Sequence, residues 1–245
     1  MGKPFTYKPV DQEGMETLDV ISAAHNFNRW MYDTIRPYCK GDILEIGSGI
    51  GNISSFFIDQ GSSIHLSDIR EVYCERLKKE FSSHPGLLGI DVMDITAPDF
   101  ENAYPHLQGR FDTVFILNVV EHIEDDQQAI TNCRKLLKPG GQLIVLVPAF
   151  QSLYNGFDVV LEHYRRYNKQ GLTTLLEKSD FDIVHRQYFN LAGILGWFIS
   201  GKLEKNKTIP LGEIRLYDFF VPLFRLVDRL FFRSFGLSVV AVGRK

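Results

Sequence analysis

The chain has 245 residues, 44% hydrophobic and 23% charged, with a formal net charge of −3. That is an ordinary globular composition, long enough to hide roughly 70–75% of its unfolded surface, and without the positive excess that draws a protein to nucleic acid. Cys39, Cys74 and Cys133 are too few and too widely spaced for a disulfide framework or a zinc site, and they point to a reducing compartment.

The N-terminal Met1-Gly-Lys-Pro-Phe-Thr6 lacks the apolar run of a signal peptide, so a cytoplasmic location is expected; Gly2 and Thr6 do satisfy a loose myristoylation pattern. Residues 14–38 read as a helical stretch, with Leu18, Ile21, Phe27, Trp30, Met31 and Ile35 apolar and Pro37 ending it. The next stretch, Asp42-Ile-Leu-Glu-Ile-Gly-Ser-Gly-Ile-Gly-Asn52, is a short buried strand running into a glycine-rich turn, with a candidate helix from Ile53 to Gln60. Gly47, Gly49 and Gly51 remove the Cβ atoms that would block a tight turn and hold a ligand off the backbone. The turn feeds a helix N-terminus, which favours anionic or strongly polar ligand atoms. Its G-x-G-x-G spacing, with Glu45 inside the strand, differs from the G-x-G-x-x-G of dinucleotide folds.

A second strand, Ser63 to Asp68, ends in an acid 21 residues after Gly47, a position suited to ribose hydroxyls. Further strands near 87–91, 111–118, 142–148 and 181–189 alternate with helical segments, and Lys138-Pro-Gly-Gly141 reads as a turn before the apolar run Leu143 to Val147. Such alternation predicts a parallel, doubly wound α/β sheet, with Leu237 to Gly243 as its seventh strand. Between the last two strands, residues 191–236 are too long for a hairpin connection. Leu191 to Leu203 is apolar but too short and broken to span a bilayer. Arg215 to Arg233 is an amphipathic helix with an expected kink at Pro222. Asp218, Pro222, Arg225 and Arg229 form one stripe, and Leu216, Phe219, Phe220, Leu223, Val227 and Leu230 the other. Such a helix packs on the sheet or a second copy, caps an apolar substrate pocket, or contacts a membrane surface.

Leu44-Glu-Ile-Gly-Ser-Gly-Ile-Gly51 resembles the first motif of the class I S-adenosylmethionine (SAM) methyltransferases. Three later segments resemble that family in the right order. Asp68 falls at the end of the second strand with Ile69 beside it. Leu87 to Asp94 is similar to the third-strand motif, and Phe111 to Asp126 to the fourth strand and the helix after it. The resemblance implies that backbone N–H groups of the turn, from Gly47 through Ser48, Gly49 and Gly51 to Asn52, meet the methionine carboxylate. Glu45 would lie near the ammonium, Asp68 on the ribose and Ile69 against the adenine. Asp91 would accept from the adenine amino group while Val92 covers the ring, and backbone near Asn118 would contact SAM. Trp30 and Asn26 either close over SAM or simply pack. The implied fold is Rossmann-like, α/β, with a seven-stranded mixed sheet whose last strand is antiparallel. One domain is expected: an N-terminal helical cap (1–39), a SAM-binding core (40–190), a helical insertion (191–236) and a final strand (237–245). The sulfonium is already activated, so the resemblance implies SAM, with S-adenosylhomocysteine (SAH) as product, and no metal.

After the fifth strand, His163-Tyr-Arg-Arg-Tyr167 resembles a His-x-Arg-Arg-Tyr run in a branch of this family. It lies where open α/β sheets place ligands. His163 is the candidate general base for a substrate hydroxyl, and Arg165 and Arg166 could clamp a carboxylate or phosphate. Tyr154, Tyr164 and Tyr167 could orient the substrate. Alternatively the arginines form ordinary salt bridges and the tyrosines cover the sheet. His122, opening the helix after strand four, is the competing base. His25, His65, His84, His106 and His185 have no supporting neighbours in sequence. Gly196-Trp-Phe-Ile-Ser-Gly-Lys202 mimics a phosphate loop but is followed by Leu203 where Ser or Thr would hold Mg²⁺. The expected activity is methyl transfer to a hydroxyl or carboxylate oxygen of a small or amphiphilic, lipid-like acceptor. Nucleic acid is not an expected partner, and 191–236 would face a membrane periphery or a second copy. Carbon or nitrogen methylation, a non-catalytic SAM-binding protein and an NAD-dependent oxidoreductase are the alternatives.

Overall fold

The computed structural model describes residues 12–198 and 211–245. The Gly2–Thr6 pattern and most of the Gly196–Lys202 decoy lie outside them. Seven strands form one sheet: β1 (Ile43–Ile46), β2 (Ile64–Asp68), β3 (Leu87–Val92), β4 (Phe111–Leu117), β5 (Leu137–Pro148), β6 (Asp182–Phe189) and β7 (Ser238–Arg244). Their order is β3-β2-β1-β4-β5-β7-β6, and β7 runs antiparallel to both neighbours.

The central strands are apolar throughout because both faces are covered. On β5, Leu143, Val145 and Val147 enter one core cluster, with Cys133 and Leu136 before the strand and Leu172 and Leu176 after it. Ile144 and Leu146 enter the other, with Trp30, Phe57 and Leu77. The expected Lys138–Gly141 turn falls inside β5. It bulges out between the pairs Phe111–Leu137 and Thr113–Gln142, with Gly140 at φ +76°.

The helices are α1 (Gln12–Ser22), α2 (His25–Ile35), α3 (Ser54–Asp59), α4 (Glu71–Phe81), α5 (Phe100–Ala103), α6 (Asp126–Leu136), α7 (Gly156–Val160), α8 (Lys169–Glu177), α9 (Leu191–Phe198) and α10 (Leu211–Leu230). The single N-terminal helical stretch expected over 14–38 is thus two helices. They break at Ala23–Ala24, where the Asn28 amide donates to the Ile21 carbonyl at the end of α1.

The insertion helix α10 packs on the fold through Tyr217, Val221 and Phe224, and turns the predicted apolar stripe outward. Leu216, Phe219, Leu223 and Leu230 are 63%, 73%, 54% and 65% exposed, whereas Asp218 and Asp228 are buried. Asp218 accepts from the Asn26 and Phe27 N–H groups, capping α2, which has no side-chain cap of its own. Asp228 accepts from Asn190 and Leu191 N–H, both at 2.7 Å, and caps α9. Arg225 pairs with Asp33 of α2 at 2.8 Å. The helix runs on through Pro222. A proline leaves the carbonyl four residues earlier without its helical donor, and here Asn26 Nδ2 donates to that carbonyl, on Asp218, at 3.1 Å. No helix among the described residues is long and apolar enough to cross a membrane.

Candidate active site

The glycine turn is closed by its own backbone. Gly47 and Ser48 N–H both donate to the Ser67 carbonyl at 2.9 Å, tying the end of β1 to β2, and Gly51 N–H donates to Ser48 O. Gly47 sits at φ +74°, and a Cβ there would lie 2.3 Å from Val119 Cγ2. Gly51, at φ +89°, would push a Cβ to 2.6 Å from the Phe81 ring. At these two positions, then, the missing side chain makes room for protein neighbours. The N–H groups of Gly47, Ser48, Gly49 and Gly51 each have a partner inside the protein, Gly49 donating to Asp68. Helix α1 lies over the turn, with Asn52 Nδ2 donating to the Leu18 carbonyl at 3.3 Å.

Three acids gather at this edge of the sheet. Glu45 is buried and accepts a short hydrogen bond from Ser54 Oγ at the start of α3. Burial pushes its carboxyl up to about 8, against the bonds from Ser54 and Ser48. Asp68, at the carboxyl end of β2, accepts from Gly49 N–H through Oδ2 and Arg70 N–H through Oδ1, each at 2.9 Å. Burial raises its carboxyl and those backbone bonds oppose the rise. Asp91 has His65 Nε2 at 2.7 Å on Oδ2 and His106 Nε2 at 3.2 Å on Oδ1. A carboxylate offers about four lone-pair directions, so Asp68 and Asp91 each keep acceptor capacity. Beside Asp91, Val92 is 43% exposed at the carboxyl end of β3. Ile69 is half-buried, and Asn118, after β4, adopts φ +53° with its N–H on the Leu146 carbonyl. Trp30 is placed elsewhere, packed on Phe189 of β6 at 4.5 Å between ring centroids.

The second cluster lies beyond the carboxyl ends of β4 and β5. Asp158 is fully buried and one of its oxygens holds two partners at once, His163 Nδ1 and Arg166 Nε, each at 2.8 Å. Its other oxygen accepts from Asn155 N–H in the capping box that opens α7. Burial disfavours the charged form of Asp158, but the bonds from His163 and Arg166 outweigh it and hold the carboxyl below the usual range. With Nδ1 taken, Nε2 is the ring nitrogen that His163 has left to offer. The His122 and His163 imidazoles meet nearly edge-on, 4.6 Å between centroids. Both Glu121 carboxylate oxygens are buried without a hydrogen-bond partner. Burial pushes Glu121 up to about 7, with the His163 charge pulling the other way. Burial and then the His163 charge push His122 down to about 3.

Of the predicted catalytic residues, the structure brings His163 and His122 together. It commits the others internally. Arg166 is buried, with Asp158, the Ala149 carbonyl and the Trp197 ring as its partners. Arg165 pairs with Asp126 at 2.7 Å and donates to the Glu124 carbonyl. Tyr167 Oη donates to Asp126, and Tyr154 Oη to the His163 carbonyl, both at 2.7 Å. The forked arginine clamp expected for a substrate anion is therefore replaced by two internal ion pairs. Sequence reasoning places Glu121 beside His122 at the site but misses that its carboxylate has no partner, and it misses the roles of Asp158 and of the histidine pair on Asp91. Asp158, five residues before His163, was the one with a local signal.

Residues 44–143 match the family described as a methyltransferase domain. With the strand order above, this match places a methyltransferase-domain sequence within a Rossmann-like, seven-stranded mixed sheet. The chain is 34% identical over 142 residues to a ubiquinone biosynthesis O-methyltransferase of Cereibacter sphaeroides, covering 56% of this chain and 54% of that one. It is 26% identical over 156 residues to the polyketide synthase component of the lovastatin nonaketide synthase of Aspergillus terreus, covering 59% of this chain and 5% of that one. It thus spans about half of the first relative and a small part of the second. A solved SAM-dependent methyltransferase from Archaeoglobus fulgidus superimposes with a TM-score of 0.58 at 19% identity, over 89% of this chain and 94% of that one.

Proposed function

We propose that this protein transfers a methyl group from SAM to a hydroxyl oxygen of an amphiphilic, lipid-like acceptor. The observation that carries the proposal is one juxtaposition at the carboxyl ends of the central strands. The cofactor-type acids lie in the last two residues of β1 to β3, and an aspartate-oriented histidine follows β5. When bound, SAM supplies a methyl carbon made electrophilic by its sulfonium. The chain's residues fit that ligand: Asp68 and Asp91 retain lone pairs for the ribose hydroxyls and the adenine amino group, and Val92 offers an uncovered apolar surface to the ring. Glu45, buried and protonated near neutral pH, is placed to ionise beside an ammonium.

His163 Nε2 takes the acceptor's proton, and Asp158 holds the ring for that task and steadies the imidazolium. The acceptor oxygen then forms its bond to the methyl carbon as the carbon–sulfur bond breaks. Orientation supplies most of the acceleration, up to roughly 7–11 kcal/mol. The lipid-like acceptor is supported by the outward apolar face of α10 and by Phe231, Phe232 and Phe235 just beyond it, 58%, 88% and 57% exposed. A run of this size marks an interaction or membrane-contact surface. The partly matching relative named for ubiquinone biosynthesis is compatible with the same class.

The test is transfer of label from methyl-labelled SAM to long-chain phenols dispersed in vesicles, alongside short-chain counterparts in solution. Label in the long-chain ether is expected. Label confined to carbon or nitrogen, or to the short-chain phenols, contradicts the proposed acceptor.

A further inference from the structure

The sequence reading required no metal, yet three side chains outside the cofactor turn converge as ligands would. Glu121, His122 and His163 each present one donor atom, all within 4.8 Å of one another. One imidazole is already oriented by its other nitrogen. His163 Nδ1 is held by Asp158 at 2.8 Å, and the Leu161 backbone beside His122 favours its protonated ring, against the larger effect of burial. An outer acceptor such as Asp158 is how proteins fix the tautomer and direction of metal-bound histidines. The third member, Glu121, is fully buried with neither carboxylate oxygen bonded. Such an orphan costs about 1–3 kcal/mol or more if nothing fills the space it faces.

We propose that Glu121, His122 and His163 form a divalent transition-metal site with open positions facing the methyl acceptor. Two imidazoles and one carboxylate suit Zn²⁺, Fe²⁺ or Mn²⁺, and three protein ligands leave room for a substrate oxygen. Ligands about 2.0–2.2 Å from a metal at tetrahedral angles lie roughly 3.3–3.6 Å apart, so a triangle whose edges reach 4.8 Å closes with side-chain movements of up to about 1 Å. The cation would hold the acceptor's hydroxyl oxygen and lower its pKa. The proton would leave to solvent, and the oxygen–carbon bond would form as the carbon–sulfur bond breaks. In the metal-loaded protein His163 is a ligand and the cation activates the hydroxyl; in the metal-free protein His163 is the free base described above. Only this role toward the acceptor rests on the function proposed above; metal binding does not.

The chelated and dialysed full-length protein is titrated with Co²⁺, followed by its visible d–d absorption and by calorimetry, and SAH binding is measured on the same samples. One Co²⁺ per chain is expected, displaced by Zn²⁺, and weakened at least about tenfold in Glu121→Gln. His122→Gln provides the second variant, and circular dichroism checks the fold of both. Absence of stoichiometric binding of Co²⁺ or Zn²⁺ to folded wild type, or affinity unchanged in the folded variants, overturns the proposal. SAH binding without Co²⁺ binding defeats the metal site alone. Co²⁺ binding without SAH binding instead defeats the cofactor reading.

Discussion

Replacing Glu45 by glutamine tests whether the acid beside the turn is reserved for a cationic ligand. Burial lifts its carboxyl from 4.5 to about 8. A carboxyl raised on folding contributes its full stability below the unfolded value and loses it as pH climbs through the folded one. The window is therefore about pH 4.5 to 8, and at about 1.4 kcal/mol per unit the ligand-free protein loses roughly 4–5 kcal/mol across it. Glutamine keeps an oxygen for Ser54 and does not titrate. The variant should melt near wild type at pH 4 and roughly 10 °C above it at pH 8, given about 2–4 °C per kcal/mol in a domain of this size. An ammonium beside Glu45 draws it into its charged form, so wild-type SAH affinity should rise between pH 6 and 8, and the variant's affinity should be lower and flatter. Thermal melts and calorimetry over that range decide the matter. Parallel melting curves for the two proteins, or wild-type SAH affinity independent of pH, would refute the reasoning.

Gly47→Ala forces φ +74° on an alanine and drives its Cβ to 2.3 Å from Val119, so urea unfolding should show a loss of about 2–4 kcal/mol. Asp158→Asn removes the carboxylate that balances buried Arg166 and orients His163. A destabilisation of about 3–5 kcal/mol should appear in the same assay, with turnover falling more than SAH affinity. Asp218→Ala strips the α2 N-terminus of its only cap among the described residues, for about 0.5–2 kcal/mol. Hydrogen exchange should quicken at Asn26 and Phe27 first.

The cofactor half of the fold was legible because its signals are local. Three glycines, an acid inside β1 and acids at the ends of β2 and β3 mark their strands and turn at fixed spacings that can be read without knowing what packs against them. Orientation and pairing were not local. The α10 pattern announces an apolar face without saying which face packs, and the structure turns that face outward because Asp218 and Asp228 are spent capping α2 and α9. Arg165 and Arg166 read equally as clamp or salt bridge until Asp126 and Asp158 are seen beside them. One break in the N-terminal helical stretch depends on an asparagine side chain reaching back to a carbonyl, which periodicity does not register. His65 and His106 have no partner in sequence because Asp91 lies 26 and 15 residues away.

The most direct test is calorimetric titration of SAH into wild type and Asp68→Ala, with NAD titrated as the rival ligand. The account predicts a single saturable SAH site, weakened at least about tenfold in the variant, about 1.4 kcal/mol or more, and no comparable affinity for NAD. Tighter binding of NAD, or no SAH binding to the folded wild-type protein, would contradict it.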